Sequence, residues 1–459
     1  MKSWYPLSIV AVLILMILLV PLVSAFAEEG GESTQREAIE EWREILKFGI
    51  DTEILEAIKS IKKRDVDVLD QELIEVLSRS LDSDVRVAVL DHFREENNKA
   101  ARDVAVGLLT KYDELENSLT IVLLRYLSEI GASESTSLMI ELVDHYEVSV
   151  STAAIKALGK QSFDSRKRDE VAEMLLERLK DEELEKVLEQ EIILSLGSLK
   201  SQRAVEELIE VVAEPTEDKV ARMYAADSLG KIGDERAINP LKDLFSEEDA
   251  LIRAYAASAL ANFDPDRVVD YLMEGLRDSN WKVRVASAEG LAKSSSAKAI
   301  DILVYKAKKD PVQKVRTAAC EALGEIGSPR ALQSLRDIYS DEAQSVAIRL
   351  ACLDVLVEKD LGRSIGTIKA VIQKQIDSSQ PAARVLELTA VRLSAAKSSA
   401  LKPIYRMLFA SKNLTARVHA IRGILHNRFA DMKGLLTQAS NEDAHAGVRR
   451  EARVALEKW

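Results

Sequence analysis

The sequence predicts an all-α protein, a right-handed α-solenoid (superhelix) of about twelve stacked helical hairpins, and three observations carry that prediction. The first is a column of apolar residues spaced 31 to 38 positions apart: Phe93, Leu127, Leu158, Leu196, Leu229, Leu260, Leu291, Leu323, Leu356, Leu393, Ile424 and Leu456. A period in this range marks an array of supersecondary units. The second is an arginine seven residues ahead of that column, at Arg86, Arg222, Arg253, Arg284, Arg316, Arg349, Arg417 and Arg449. The third is size without division: the 432 residues after the first 27 exceed one compact core, yet no Pro-, Gly- or Ser-rich linker interrupts them. Stacked hairpins resolve this, because each one needs to touch only its neighbours.

Residues 1–27 are read as a signal peptide and set aside. Lys2 gives a basic start, Leu7 to Val23 is almost wholly apolar, Pro21 breaks any helix there, and Ala25, Phe26 and Ala27 form an A-x-A cleavage site before Glu28. The expected product is exported, periplasmic or extracellular. At 17 residues the apolar stretch is long for a signal and short for a span, so an uncleaved membrane anchor is the alternative. No cysteine follows it, which excludes lipid attachment there. Residues 28–64 are expected to form an atypical helical capping pair, rich in glutamate, with Trp42, Leu46 and Ile50 as its apolar positions.

Residues 65–459 form the array. With the arginine at zero, apolar or small residues fall at three, four and seven, one stripe of a 3.6-residue helix, as in Arg222 to Gly233 and Arg316 to Gly327. Gly131, Gly233 and Gly327 stop such helices. Ahead of each lies another helix of pattern A-h-x-x-L: Ala237, Ile238, Leu241; Ala299, Ile300, Leu303; Ala331, Leu332, Leu335. Pro240 and Pro403 fall in two of these first helices and are expected to bend them. Cys320 and Cys352 occupy nearly equivalent small positions in adjacent repeats. Packed helices lie about 8–10 Å apart, further than a disulfide spans, so buried free thiols are expected.

These residues resemble HEAT repeats, in particular the short HEAT-like repeats of phycobilisome lyases and bacterial scaffold proteins, most closely over residues 200–357. Asp278 and Asp310 stand six residues ahead of Arg284 and Arg316, and Asp443 ahead of Arg449. The resemblance implies an Asp/Arg ladder that bonds one turn to the next, giving Arg222, Arg253, Arg284, Arg316 and Arg349 a structural role. Ser151 and Leu386 replace the arginine in two copies.

Charge is unevenly spread along the chain. The net charge is −13, yet residues 361–433 hold 13 basic and 3 acidic side chains, whereas Asp169 to Glu191 holds ten acids and three bases. Such a basic window suits an acidic protein partner or, alternatively, an anionic envelope polymer or lipid surface. Nucleic acid fits poorly, because no aromatic stacking set accompanies the cations. Positions two, five and nine after the arginine point away from the buried stripe and are expected to line an inner binding face. They include Tyr224, Tyr255, His419, Arg422 and His426, candidate partner contacts, with Asp227, Glu289, Glu321 and Asp354 at the middle position of earlier copies.

No catalytic, cofactor or metal site is expected. None of His92, His145, His419, His426 and His445 is followed by glutamate, which leaves out the His-Glu pairs of iron-dependent HEAT-like hydroxylases. His419 and His426 lie seven residues apart, about 10 Å along a helix and too far for one ion. No nucleophile elbow, phosphate loop or metal-spaced Cys/His set is present. The expected function is an exported, non-catalytic protein-interaction scaffold. A bilin-lyase-like or other groove enzyme is the alternative.

Overall fold

The computed structural model describes residues 32–64, 67–181, 183–294, 296–378 and 383–459; the expected signal peptide and its cleavage site lie outside them. The described residues form twenty-six α-helices and no strand. Residues assigned to the capping pair form α1 (Glu32–Phe48) and α2 (Asp51–Arg64), and twelve hairpins follow. The chain divides into two compact units, one ending at Ser195 and the other spanning Leu196–Trp459. The uninterrupted sequence pattern gives no sign of that division, which falls inside a helix.

In the first unit α3 (Asp70–Arg79) pairs with α4 (Ser83–Glu95), α5 (Arg102–Leu109) with α6 (Asn117–Glu129), and α7 (Thr136–Glu141) with α8 (Val148–Lys160). α9 (Ser165–Leu179) leads to α10 (Lys186–Ser198), which carries the boundary. The second unit continues with α11 (Val205–Ala213) and α12 (Lys219–Ile232), α13 (Ile238–Asp243) and α14 (Ala250–Leu260), and α15 (Pro265–Gly275) and α16 (Trp281–Ser294). Then come α17 (Ile300–Lys309) and α18 (Gln313–Ile326), α19 (Pro329–Ser340) and α20 (Val346–Lys359), and α21 (Leu361–Asp377) and α22 (Ala383–Ala395). The last two hairpins are α23 (Lys402–Ala410) with α24 (Leu414–Asn427) and α25 (Lys433–Glu442) with α26 (Ala446–Glu457).

Local chemistry sets the helix ends. Asp218 accepts bonds from the amides of Val220 and Ala221 at the start of α12, and Asp82 accepts one from Val85 at the start of α4, satisfying donors that have no partner within the helix. Gly131, Gly233 and Gly327 adopt φ of 72°, 73° and 61° where their helices stop, a left-handed conformation that costs glycine little. The prolines do not act as expected. Pro403 stands in the first turn of α23, and Pro240 is third in α13, because 3-10 turns at Ser399–Leu401 and Glu235–Ala237 delay both helix starts. A first-turn amide has no intrahelical acceptor, so proline breaks nothing there.

The column forms the core: from Phe93 to Ile424 every member is fully buried. Leu456 is only half-buried, in the final hairpin. Trp42 and Leu46 are buried, but Ile50 is 66% exposed, since α1 ends at Phe48 and Gly49 takes Ile50 off the apolar stripe. Second helices of neighbouring hairpins pack directly, α12 on α14 and α16 on α18. At Gly230 the approach is so close that a Cβ would stand 2.8 Å from the Cα of Ala259. Cys320 and Cys352 are buried free thiols, with their sulfurs 3.4 Å apart.

Candidate interaction surface

The arginine column is built into the scaffold. Arg284, with a side chain 7% exposed, donates through Nε and Nη2 to both oxygens of Asp310 at 2.8 and 2.9 Å, and through Nη1 to the Asp278 and Ser279 carbonyls of its own turn. Arg253 repeats the arrangement on Asp278 and on the carbonyls of Glu247 and Glu248. Paired planar bonds of this kind are among the strong ones. Burial pushes the Asp278 and Asp310 carboxyls up, but the guanidinium bonds and backbone amides outweigh it and hold both below the usual carboxylate range.

Other rungs vary. Arg222 donates to Glu247 and to the Val212 carbonyl, Arg316 to Gln344 and the Ala307 carbonyl, and Arg349 to the Tyr339 carbonyl. Arg417 pairs with Asp443, and Arg449 bonds the Asp443 carbonyl. In the first unit Ser151, standing in for arginine, donates to the Val143 carbonyl. Arg86 is 8% exposed, and burial lowers its pKa. A shallow depression lies over the Arg284–Asp310 rung, lined also by Trp281, Lys306 and Pro311. It is the outer surface of the ladder.

Across the second helices, the fifth and ninth positions after the arginine stand mostly in water. Glu289, Glu321, Asp354, Lys293, Glu325, Glu358, Arg422 and His426 are exposed. Asp227 is half-buried and bound to Lys231 at 2.7 Å. Burial, reinforced by Glu289, raises the Glu321 carboxyl. Tyr224, Tyr255 and His419 occupy the second position and are half-buried, partly covered where successive second helices pack. His419 Nδ1 lies 3.0 Å from the Ser394 hydroxyl, and burial followed by the nearby Arg422 lowers its pKa. The inner-face set is therefore brought onto the second helices, but only His426 and Arg422 of its five members are exposed.

The basic window is partly neutralised by acids outside it. Lys374 pairs with Glu342, Arg392 with Asp354, Arg417 with Asp443, and Arg422 with Glu451 at 2.7 Å, while Lys402 and Arg406 share Asp431 within the window itself. Among the described residues no ion pair holds Arg363, Lys369, Arg384, Lys397, Lys412, Arg428 or Lys433, all exposed. They are distributed over first helices, turns and helix ends. Lys397 and Arg428 are equivalent positions just beyond α22 and α24.

Sequence reasoning missed one cluster. Asp70 at the start of α3 and His92 and Glu96 at the end of α4 place one potential ligand atom each within 4.8 Å of the others, a grouping that the sequence reading did not single out. The signal was a His–Glu spacing of four, one helical turn, which a search for adjacent His-Glu pairs passes over.

The sequence matches the profile of a family described as "Spirochaete HEAT repeat protein" over residues 46–455. No curated protein matches it in sequence. Of the solved structures it is similar to, YibA of E. coli is 20% identical, covering 55% of this chain and 95% of that one with a TM-score of 0.37. The CpcE–CpcF complex of phycocyanin lyase from Nostoc is 19% identical over 55% of this chain and 93% of its own, with a TM-score of 0.33. Kap95p, in a structure with RanGDP, is 13% identical over 89% of this chain at a TM-score of 0.50, and the match spans 64% of Kap95p. Likeness at these identities bears on the helical-repeat fold alone.

Proposed function

Because the chain belongs to the spirochaete HEAT repeat proteins, we propose that it is an exported, non-catalytic scaffold that binds a protein partner along the exposed side of its second helices. One observation supports this above all: in the second unit the fifth- and ninth-position side chains stand mostly in water while the column behind them, from Leu229 to Ile424, is fully buried. Such a surface presents regularly spaced groups on a rigid backing, so little ordering entropy is lost on docking. Kap95p, of similar helical construction, binds RanGDP.

The partner we assign is acidic at the C-terminal hairpins, where seven exposed cations have no ion pair among the described residues. Export rests on the apolar segment Leu7 to Val23 and the Ala25-Phe26-Ala27 site. No described helix is long and apolar enough to cross a membrane.

Capture of partners from cell-envelope extracts tests the reading. Arg422 is a poor probe, since reversal would set a glutamate against Glu451. Lys397→Glu with Arg428→Glu should weaken retention of an acidic partner and reduce its salt dependence, whereas Lys282→Glu, exposed on α16, should leave it intact. Equal retention by all variants would refute the basic docking site.

A further inference from the structure

We propose that Asp70, His92 and Glu96 bind one divalent cation of the borderline class, Zn2+, Co2+ or Ni2+, at the open end of the α3–α4 hairpin. Antiparallel pairing brings the first residue of α3 beside the last turn of α4, so residues 22 and 26 positions apart meet. Their ligand atoms lie within 4.8 Å of one another, and His92 Nδ1 stands 3.3 Å from Glu96 Oε1. Two ligands about 2.0–2.1 Å from a tetrahedral zinc are separated by about 3.3 Å, so this edge of the site already has the required length.

The surroundings are organised in the same sense. The His92 side chain is 0% exposed and packs edge-on against Phe93, with ring centroids 5.5 Å apart. Glu96 retains 20% side-chain exposure, which lets solvent supply a fourth ligand. Asp70 Oδ2 accepts from Asn98 Nδ2 at 2.6 Å, and the Tyr126 hydroxyl donates to the Asn98 carbonyl at 2.9 Å. Partners of this kind orient ligating carboxylates. Asp70 Oδ1 is buried and makes no hydrogen bond within the described residues. A buried carboxylate oxygen left without a partner is unfavourable, and a cation satisfies it.

Beyond Glu96 the chain turns through Asn97 at φ 52°, and the Asn98 amide returns to the Phe93 carbonyl at 2.8 Å, fixing the glutamate at the helix end. That end carries the negative pole of the helix, which favours a cation. One imidazole and two carboxylates select the borderline transition ions. Calcium and magnesium favour all-oxygen sets, and copper(I) favours sulfur. The role is that of a clip tying the start of α3 to the end of α4.

Titration of the full chain, freed of metal with EDTA, by Co2+ tests the site through the visible ligand-field absorption of the bound ion. One equivalent should bind, and Zn2+ should displace it and raise the unfolding temperature. Glu96→Gln, at a partly exposed position, should fold normally and weaken binding at least 10-fold. His92→Gln, with its fold checked by circular dichroism, should abolish the spectrum. Absence of a Co2+ spectrum in the wild-type chain overturns the assignment, as does a spectrum unchanged in Glu96→Gln, which would belong to surface histidines such as His145 or His445.

Discussion

Replacing Gly230 by alanine sets two known effects against each other. Alanine is favoured over glycine inside a helix by about 1 kcal/mol, so intrinsic propensity alone makes the change stabilising. Gly230, however, lies where α12 meets α14, and the added Cβ would stand 2.8 Å from the Cα and 3.0 Å from the carbonyl oxygen of Ala259. Both atoms belong to backbone, so relief requires one second helix to move off the other. Overpacking of this kind costs about 1–3 kcal/mol or more, which outweighs propensity and leaves a net loss of up to about 2 kcal/mol. Gly366 in α21 is the matched control: it is exposed, with nothing within 4 Å of a built Cβ, and the same substitution should stabilise by about 0.4–1 kcal/mol. Denaturant titrations followed by tryptophan fluorescence, with amide hydrogen exchange in α12 and α14, measure both. If Gly230→Ala stabilises the chain as Gly366→Ala does, the close packing described for the second helices is wrong.

Leu291→Ala should cost roughly 2–5 kcal/mol, because Leu291 is fully buried, and Lys293→Ala far less; equal shifts in the denaturation midpoint would contradict the assigned register. Asp310 has its carboxyl held below the ordinary range, so its contribution is complete above the unfolded value near pH 4 and is lost as pH falls through the folded one. Asp310→Asn should therefore lower stability at pH 7 and flatten the acid limb of a stability–pH profile, and an unchanged limb would refute the rung's share in it. The thiols of Cys320 and Cys352 are buried, and the Cys352 pKa is raised by its bond to Cys320 and by burial; a thiol reagent should find neither in the native chain and both on unfolding. N-terminal sequencing of the exported form should begin at Glu28, and recovery of a membrane form that retains Leu7 to Val23 would show an anchor instead.

The period of the leucine column made the hairpins legible, since a residue buried between two helices recurs once per repeat whatever surrounds it. The arginines could be read for the same reason. Individual helix starts could not: Pro240 and Pro403 looked like breakers because a 3-10 turn ahead of them leaves no trace in an apolar pattern. Contacts between hairpins were also hidden. Counting charge in residues 361–433 omits Glu342, Asp354, Asp443 and Glu451, which reach in from flanking hairpins. His92 was judged by its sequence neighbours, whereas its companions are Glu96 one turn on and Asp70 across the hairpin.

The rungs have a consequence for how such a chain lengthens. Arg253 and Arg284 each grip the carbonyls of their own turn and reach the aspartate of the turn that follows, Asp278 and Asp310 respectively. Each of these hairpins thus ends in the same plug and opens with the same socket. Copying or excising one whole hairpin between Arg253 and Asp310 would leave every guanidinium facing a carboxylate and every leucine of the column between the same kinds of neighbour. Growth by duplication there needs no compensating change in sequence, whereas a cut made anywhere inside a hairpin strands a buried ion.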